Sequence, residues 1–157
     1  MKDLVKEVRE IMKKNMWLVL STANEKGNPQ SSVIMYESDG NAIYFTTGKN
    51  TLKARNIRKN NNVSVTIPFR KNLLHKLIPA PPGELHFKAK AEFLDRESEE
   101  IQTMLVKVLQ FEEKAGVSSD TVYLKLVPSS KIATYGVGIK LIQMRFPEKA
   151  RNIVELD

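Results

Sequence analysis

Apolar positions recur along this chain with two periods, and the changes between them mark out the elements. Over residues 2 to 14, Leu4, Val5, Val8, Ile11 and Met12 fall where one face of a helix requires them. Glu10 and Lys14, one turn apart, form an opposite-charge pair on the other side. "MWLVLSTA" (16–23) is an apolar, strand-forming run that ends in the turn cluster "NEKGNP". "QSSVIMYE" follows as a second strand. "SDGN" (38–41) predicts a hairpin turn because Asp-Gly tolerates positive φ, and "AIYFTT" (42–47) is the third strand.

Residues 51 to 60 predict a short helix, with Asn50 or Thr51 placed to cap it. "NNVSVTIPF" returns to period two: Val63, Val65 and Ile67 on one face, Ser64 and Thr66 on the other. The stretch 70 to 83 is irregular and closes on three prolines and a glycine. The cleanest alternation comes next, with Leu85, Phe87, Ala89, Ala91 and Phe93 set against His86, Lys88, Lys90 and Glu92. Residues 96 to 114 predict a second amphipathic helix that buries Ile101, Met104, Leu105, Val108 and Leu109. "TVYLKLVP", "SKIATYG" and "GIKLIQMRF" read as three more strands, the last with a slip in its apolar phase at Leu141–Ile142. From Pro147 the chain is polar, and residues 146–157 are expected to form a loosely held tail.

Seven or eight short strands, mostly hairpin-connected, with three helices predict a mainly β (α+β) fold. The expected form is a closed or half-closed antiparallel barrel with helices at its rim. No repeat or linker divides the chain, and 157 residues suit one domain.

Composition narrows the chemistry. There is no cysteine, which excludes disulfides, thiol catalysis and Cys-based zinc sites, and only His75 and His86 could supply imidazole. The charged start "MKDLVKEVRE" is not a secretory signal, and no apolar run approaches a membrane span, so a soluble, cytoplasmic protein is expected. The net charge of +7 suits an anionic partner. That charge is uneven: residues 45 to 90 are basic, whereas residues 92 to 113 carry seven acids against two bases.

The stretch "FTTGKNTLKARNIRKN" (45–60) is the main candidate site. A strand ends in two threonines and a glycine, a helix begins, and five basic residues follow with no acid among them. Free amide groups and the positive dipole end at a helix start favour phosphate. Threonine hydroxyls add neutral donors and lysine adds point charge. A solvated basic helix face is the competing reading. Ser31, Ser32, Ser64 and Thr66 either line a flat ligand or face solvent. His75 and His86 read as surface or satisfied histidines, Trp17 as core, and Tyr36 and Tyr44 as structural. The basic segment 69–90, with Phe69 and Phe87, is a weaker candidate for single-stranded nucleic acid.

In order, "LSTANEKGNPQSSVIMY", "DGNAIYFTTGKNTLKARNIRKNNNVSVTI" and "GELHFKAKAEFL" resemble the pyridoxamine 5′-phosphate oxidase-like split β-barrel flavoproteins, over roughly residues 4 to 135. The resemblance implies an antiparallel split β-barrel of six to eight strands with peripheral helices. It also implies a homodimer with FMN bound at the subunit interface, or a deazaflavin in a related variant. Phosphate contacts would fall on Thr46, Thr47, Lys49, Asn50, Thr51 and Lys53. The ring would lie against Ser31, Ser32, Val33 and Ile34 and against Ser64 to Thr66. The implied activity is an FMN-dependent oxidoreductase on a small-molecule substrate, or a flavin carrier without catalysis. The family's oxidase pattern is incomplete. Ser32 or its neighbour stands where an arginine is expected, Leu52 replaces another, and "IKLIQMRFPEK" lacks the Arg-x-His histidine. Oxidation of pyridoxamine phosphate itself is therefore not expected.

Overall fold

The computed structural model describes residues 3–71, 77, 80–116 and 120–156. Helix α1 (Leu4–Lys14) starts at Asp3, whose carboxylate caps the Lys6 amide. The strands are β1 (Trp17–Ala23), β2 (Pro29–Met35), β3 (Glu37–Ser38), β4 (Ile43–Gly48), β5 (Asn62–Phe69), β6 (Gly83–Leu94), β7 (Thr121–Pro128), β8 (Lys131–Tyr135) and β9 (Arg151–Glu155). Helix α2 (Leu52–Lys59) joins β4 to β5; α3 (Glu99–Met104) and α4 (Val106–Ala115) lie between β6 and β7; α5 (Pro147–Ala150) precedes β9.

All nine strands join one antiparallel sheet, a half-barrel of the split-barrel kind in an α+β fold. Its order is β2-β1-β5-β6-β7-β4-β3, with β8 on β6 and β9 on β8. Strand β6 is the spine. One of its edges pairs with β5; the other carries β8 at Glu84–His86 and β7 at Ala89–Leu94. Its alternation places Leu85, Phe87, Ala89 and Ala91 in the core with Val63, Val65 and Ile67 of β5 and Leu18 and Leu20 of β1. Helix α1 plugs the same core with Val8 and Met12. Each fully buried large aliphatic or aromatic side chain contributes about 1.5–3 kcal/mol. A second, smaller core holds α3 and α4 against Tyr44 and Tyr123 through Ile101, Leu105 and Leu109.

The structure corrects five expectations, the first being that Phe93 faces inward: it is 39% exposed near the end of β6. The helix at 96–114 is two helices broken at Leu105, whose ψ of 22° leaves the helical region. "GIKLIQMRF" is not a strand: Leu141–Arg145 is a 3-10 turn, pinned where the Tyr135 hydroxyl donates to the Met144 carbonyl. The segment from Pro147 is not loose, because β9 pairs with β8 along its length and buries Val154. Trp17 is 50% exposed, since β1 turns its odd positions outward. The hairpin turn holds as expected, with Gly40 at φ +88°. The proline-rich stretch and His75 lie largely outside the described residues.

Candidate functional site

The site follows from how β2 runs into β3. Strand β3 pairs with β4 only through Glu37–Tyr44 and Ser38–Ile43. Before that pairing β2 bonds only to β1, and beyond it β4 bonds only to β7. The two strands therefore diverge from an apex at Tyr36–Glu37, leaving a wedge between them. The wedge is a cavity of about 550 Å³, within the roughly 300–1,000 Å³ of small-molecule sites. Val33, Ile34 and Met35 form one wall, Tyr44 to Thr47 the other, and Lys53 of α2 stands at the wide end. Leu105 at the α3–α4 break and Lys107, Val108 and Phe111 of α4 add a third side. Three large apolar side chains on these walls are exposed: Val33 67%, Met35 57% and Phe111 68%.

At the wide end the hydroxyls converge. Thr51 is the N-cap of α2, accepting from the Ala54 amide at 3.4 Å and donating to the Gly48 carbonyl at 2.9 Å. Its oxygen lies 3.2 Å from the Thr47 hydroxyl, which also accepts from Lys53 Nζ at 3.4 Å. Threonine hydroxyls, one ammonium and a helix start thus share one corner, as a phosphate group requires. Lys49 is turned aside: its ammonium pairs with Asp120, and Asn50 is exposed on the turn.

The remaining sequence candidates divide by face. Val33, Ile34, Thr46, Thr47 and Lys53 line the wedge, and Thr51 supports it. Ser32 lies opposite inward-facing Leu20. Ser31 and Ser64 face outward across Ser21, with a 2.7 Å bond between the Ser21 and Ser31 hydroxyls. Thr66 lies 3.1 Å from His86 Nδ1, so that histidine has a partner. Sequence reasoning missed the apex residues Tyr36 and Glu37 and the α4 wall. The apex was hinted at by the "SDGN" turn, which brings β3 onto β4 just beyond it. Nothing in the sequence places Lys107 or Phe111.

Tyr44 on the wedge wall donates to Glu100 Oε2 at 2.8 Å, and Lys125 Nζ meets the same oxygen at 2.6 Å. Burial, then the bond to Glu100, pushes the Tyr44 phenol well above its usual range. Lys125, then Tyr44, holds the Glu100 carboxyl below its own. Both wall tyrosines have their hydroxyls engaged, Tyr36 with the Met12 carbonyl at 3.0 Å. They shape the wall rather than titrate. A larger hollow of about 750 Å³ lies among Asp95, Arg96, Glu112 and Glu113. Among its described residues the acids outnumber the one cation, Arg96, which is engaged by Tyr123 and Glu113.

A half-barrel split at this seam, with a phosphate-suited corner where β4 meets α2, defines the class: an antiparallel split β-barrel. The family model for pyridoxamine 5′-phosphate oxidase matches residues 4–130, and the chain belongs to that family. No curated protein matches it in sequence. Among solved structures it is similar to HutZ, the heme storage protein from Vibrio cholerae. That match has 22% identity and a TM-score of 0.64, covering 82% of this chain and 92% of the other. An FAD-binding protein from Mesorhizobium loti is 13% identical at TM-score 0.61, covering 79% and 88%. An F420 reductase is 16% identical at TM-score 0.55, covering 77% and 92%. These likenesses show the fold.

Proposed function

We propose that this protein is an FMN-binding flavoprotein, acting as a homodimeric oxidoreductase on a small, anionic substrate. The observation that carries the reading is the wedge itself. Its polar corner suits a phosphate, and its apolar walls suit a flat ring. When bound, FMN supplies hydride or electron transfer. The chain's own residues would bind and orient it. Lys53 would neutralise the phosphate and the Thr47 hydroxyl would donate to it, while Thr51, whose hydrogen goes to the Gly48 carbonyl, caps the helix start beside them. Val33, Met35 and Phe111 would cover the ring with apolar surface. Glu37 and Lys107 are charged side chains lining the cavity, where a substrate's polar end would be met.

A homodimer is supported by the outer face of the sheet. Trp17 lies opposite Met35, and Val19 opposite Val33, so an exposed apolar patch runs on from the cavity wall. Sedimentation at micromolar concentration would test this; a monomer would refute it. No described helix is long and apolar enough to cross a membrane, and the proposed location is the cytoplasm.

The deciding experiment is a visible spectrum and a titration of the purified protein with FMN, FAD and a deazaflavin in parallel. FMN is expected to bind with a perturbed flavin spectrum. A protein with no affinity for FMN would sink the proposal. Rapid reduction of the loaded protein by NADH or NADPH, then turnover on a small acceptor, separates an enzyme from a flavin carrier.

A further inference from the structure

The wide corner of the wedge is held by a part of α2 that does not face it. Arg58, on the exposed side of that helix, reaches back to the preceding turn, and its Nη1 donates to the Lys49 carbonyl at 2.6 Å. The same guanidinium lies over the Phe93 ring of β6, 5.3 Å from its centroid. From the opposite flank the Lys49 amide donates to the Asp120 carbonyl at 2.6 Å, and the Lys49 ammonium pairs with the Asp120 carboxylate. Both polar groups of residue 49 are thus held by other elements, the carbonyl from α2 and the amide from the entry to β7. The turn Gly48–Thr51 has no core residue of its own, since each of its four residues is exposed or half-buried.

The helix does not need this clamp. Its start is already capped by Thr51, and the Lys49 carbonyl lies before its first residue. Ordering a long exposed arginine costs conformational entropy, which its two contacts offset. What these contacts fix is the turn between Thr47, on the strand, and Thr51 and Lys53, on the helix. That turn sets the spacing of the corner's three polar groups.

We propose that Arg58, braced on Phe93 and opposed by Asp120, is a positioning residue that preorganises the 48–51 turn to receive a phosphate monoester. The ligand's identity rests on the flavin reading above; the clamp does not. A preformed corner spares the ligand the cost of ordering it.

The test compares FMN with riboflavin, which has the same ring and no phosphate, in wild type, Arg58→Met and Arg58→Lys. Amide exchange of the peptide spanning 46–53 is measured in the same proteins without ligand. Arg58→Met is expected to weaken FMN binding roughly three- to tenfold, the range of one lost hydrogen bond, and to leave riboflavin unchanged. Exchange at 46–53 should quicken. Arg58→Lys can reach the carbonyl but cannot lie flat on the ring, and should recover part of both effects. Equal losses for the two flavins, or no loss, would overturn the clamp, as would unchanged exchange. A wild type that binds neither flavin would sink the flavin reading alone, because the exchange measurement still decides the clamp.

Discussion

Lys53 sets its ammonium 3.4 Å from the hydroxyl of Thr47, six residues earlier and on a different element. Its neighbour in charge, Lys49, is paired with Asp120 instead. The two lysines, equivalent by composition, therefore stand in different settings. Lys53→Ala should weaken FMN binding by about 1.5–3 kcal/mol, roughly tenfold or more. Lys49→Ala removes only a half-exposed pair and should change stability and binding by about 1 kcal/mol at most. Calorimetric titration of both variants distinguishes them, and equal losses would mean that the phosphate corner is misplaced.

Thr51 has a structural duty separable from any ligand. Replacing it by alanine removes the cap of α2 and should cost about 1 kcal/mol of stability, while Thr51→Ser should cost much less. Urea denaturation without ligand measures the difference. A Thr51→Ala protein as stable as wild type would remove the cap from this account.

Gly40 turns the hairpin that brings β3 to β4. A Cβ there would stand 2.8 Å from Lys13 Cε, which can move, and 3.3 Å from the Arg9 carbonyl, which cannot move easily. With φ at +88° as well, Gly40→Ala should destabilise the fold by about 1–2 kcal/mol. A thermal melt showing no loss would contradict this.

Glu100 links pH to stability. Its folded pKa lies below the ordinary value of about 4.3, held there first by Lys125 and then by Tyr44. A depressed carboxylate pKa means that the unfolded chain binds the proton more readily. The stabilisation is therefore present above the ordinary range and is lost as pH falls through the lower, folded value. Glu100→Gln should flatten the acid limb of a stability–pH profile, leaving less stability to lose below about pH 5. Profiles of unchanged slope would refute the linkage.

Val154 tests whether the last strand belongs to the core. Val154→Asp would bury a carboxylate among α1, β8 and β9 and should cost more than about 3 kcal/mol. Ile153→Asp, one residue away and 70% exposed, should cost little. Similar melts for the two variants would show that β9 is dispensable.

Most of the sheet was legible because the period-two signal survives wherever one face is buried. β5 and the first nine residues of β6 keep their inward sets, while Phe93 escapes to the surface under Arg58. β9 was illegible because a short strand with one inward valine carries little pattern. Its evidence is its pairing with β8, a long-range fact. In the candidate site, Thr47, Thr51 and Lys53 were legible because they lie within one turn region. Asp120, Phe93 and Phe111 reach that region only through the fold, and no local spacing announces them. Trp17 was misread because hydrophobicity alone does not say which face of a strand a residue takes, and β1 turns its odd positions outward.

The divergence of β2 from β4 leaves the outer edge of β2 with main-chain groups that no described strand pairs. Such an edge invites another strand, and exposed edges are where sheet proteins stick to one another. A flat heterocycle with donors and acceptors along its rim could occupy that edge as a surrogate strand. Ligand binding and resistance to aggregation would then be one property of this molecule, and light scattering on warming should fall as the seam is filled.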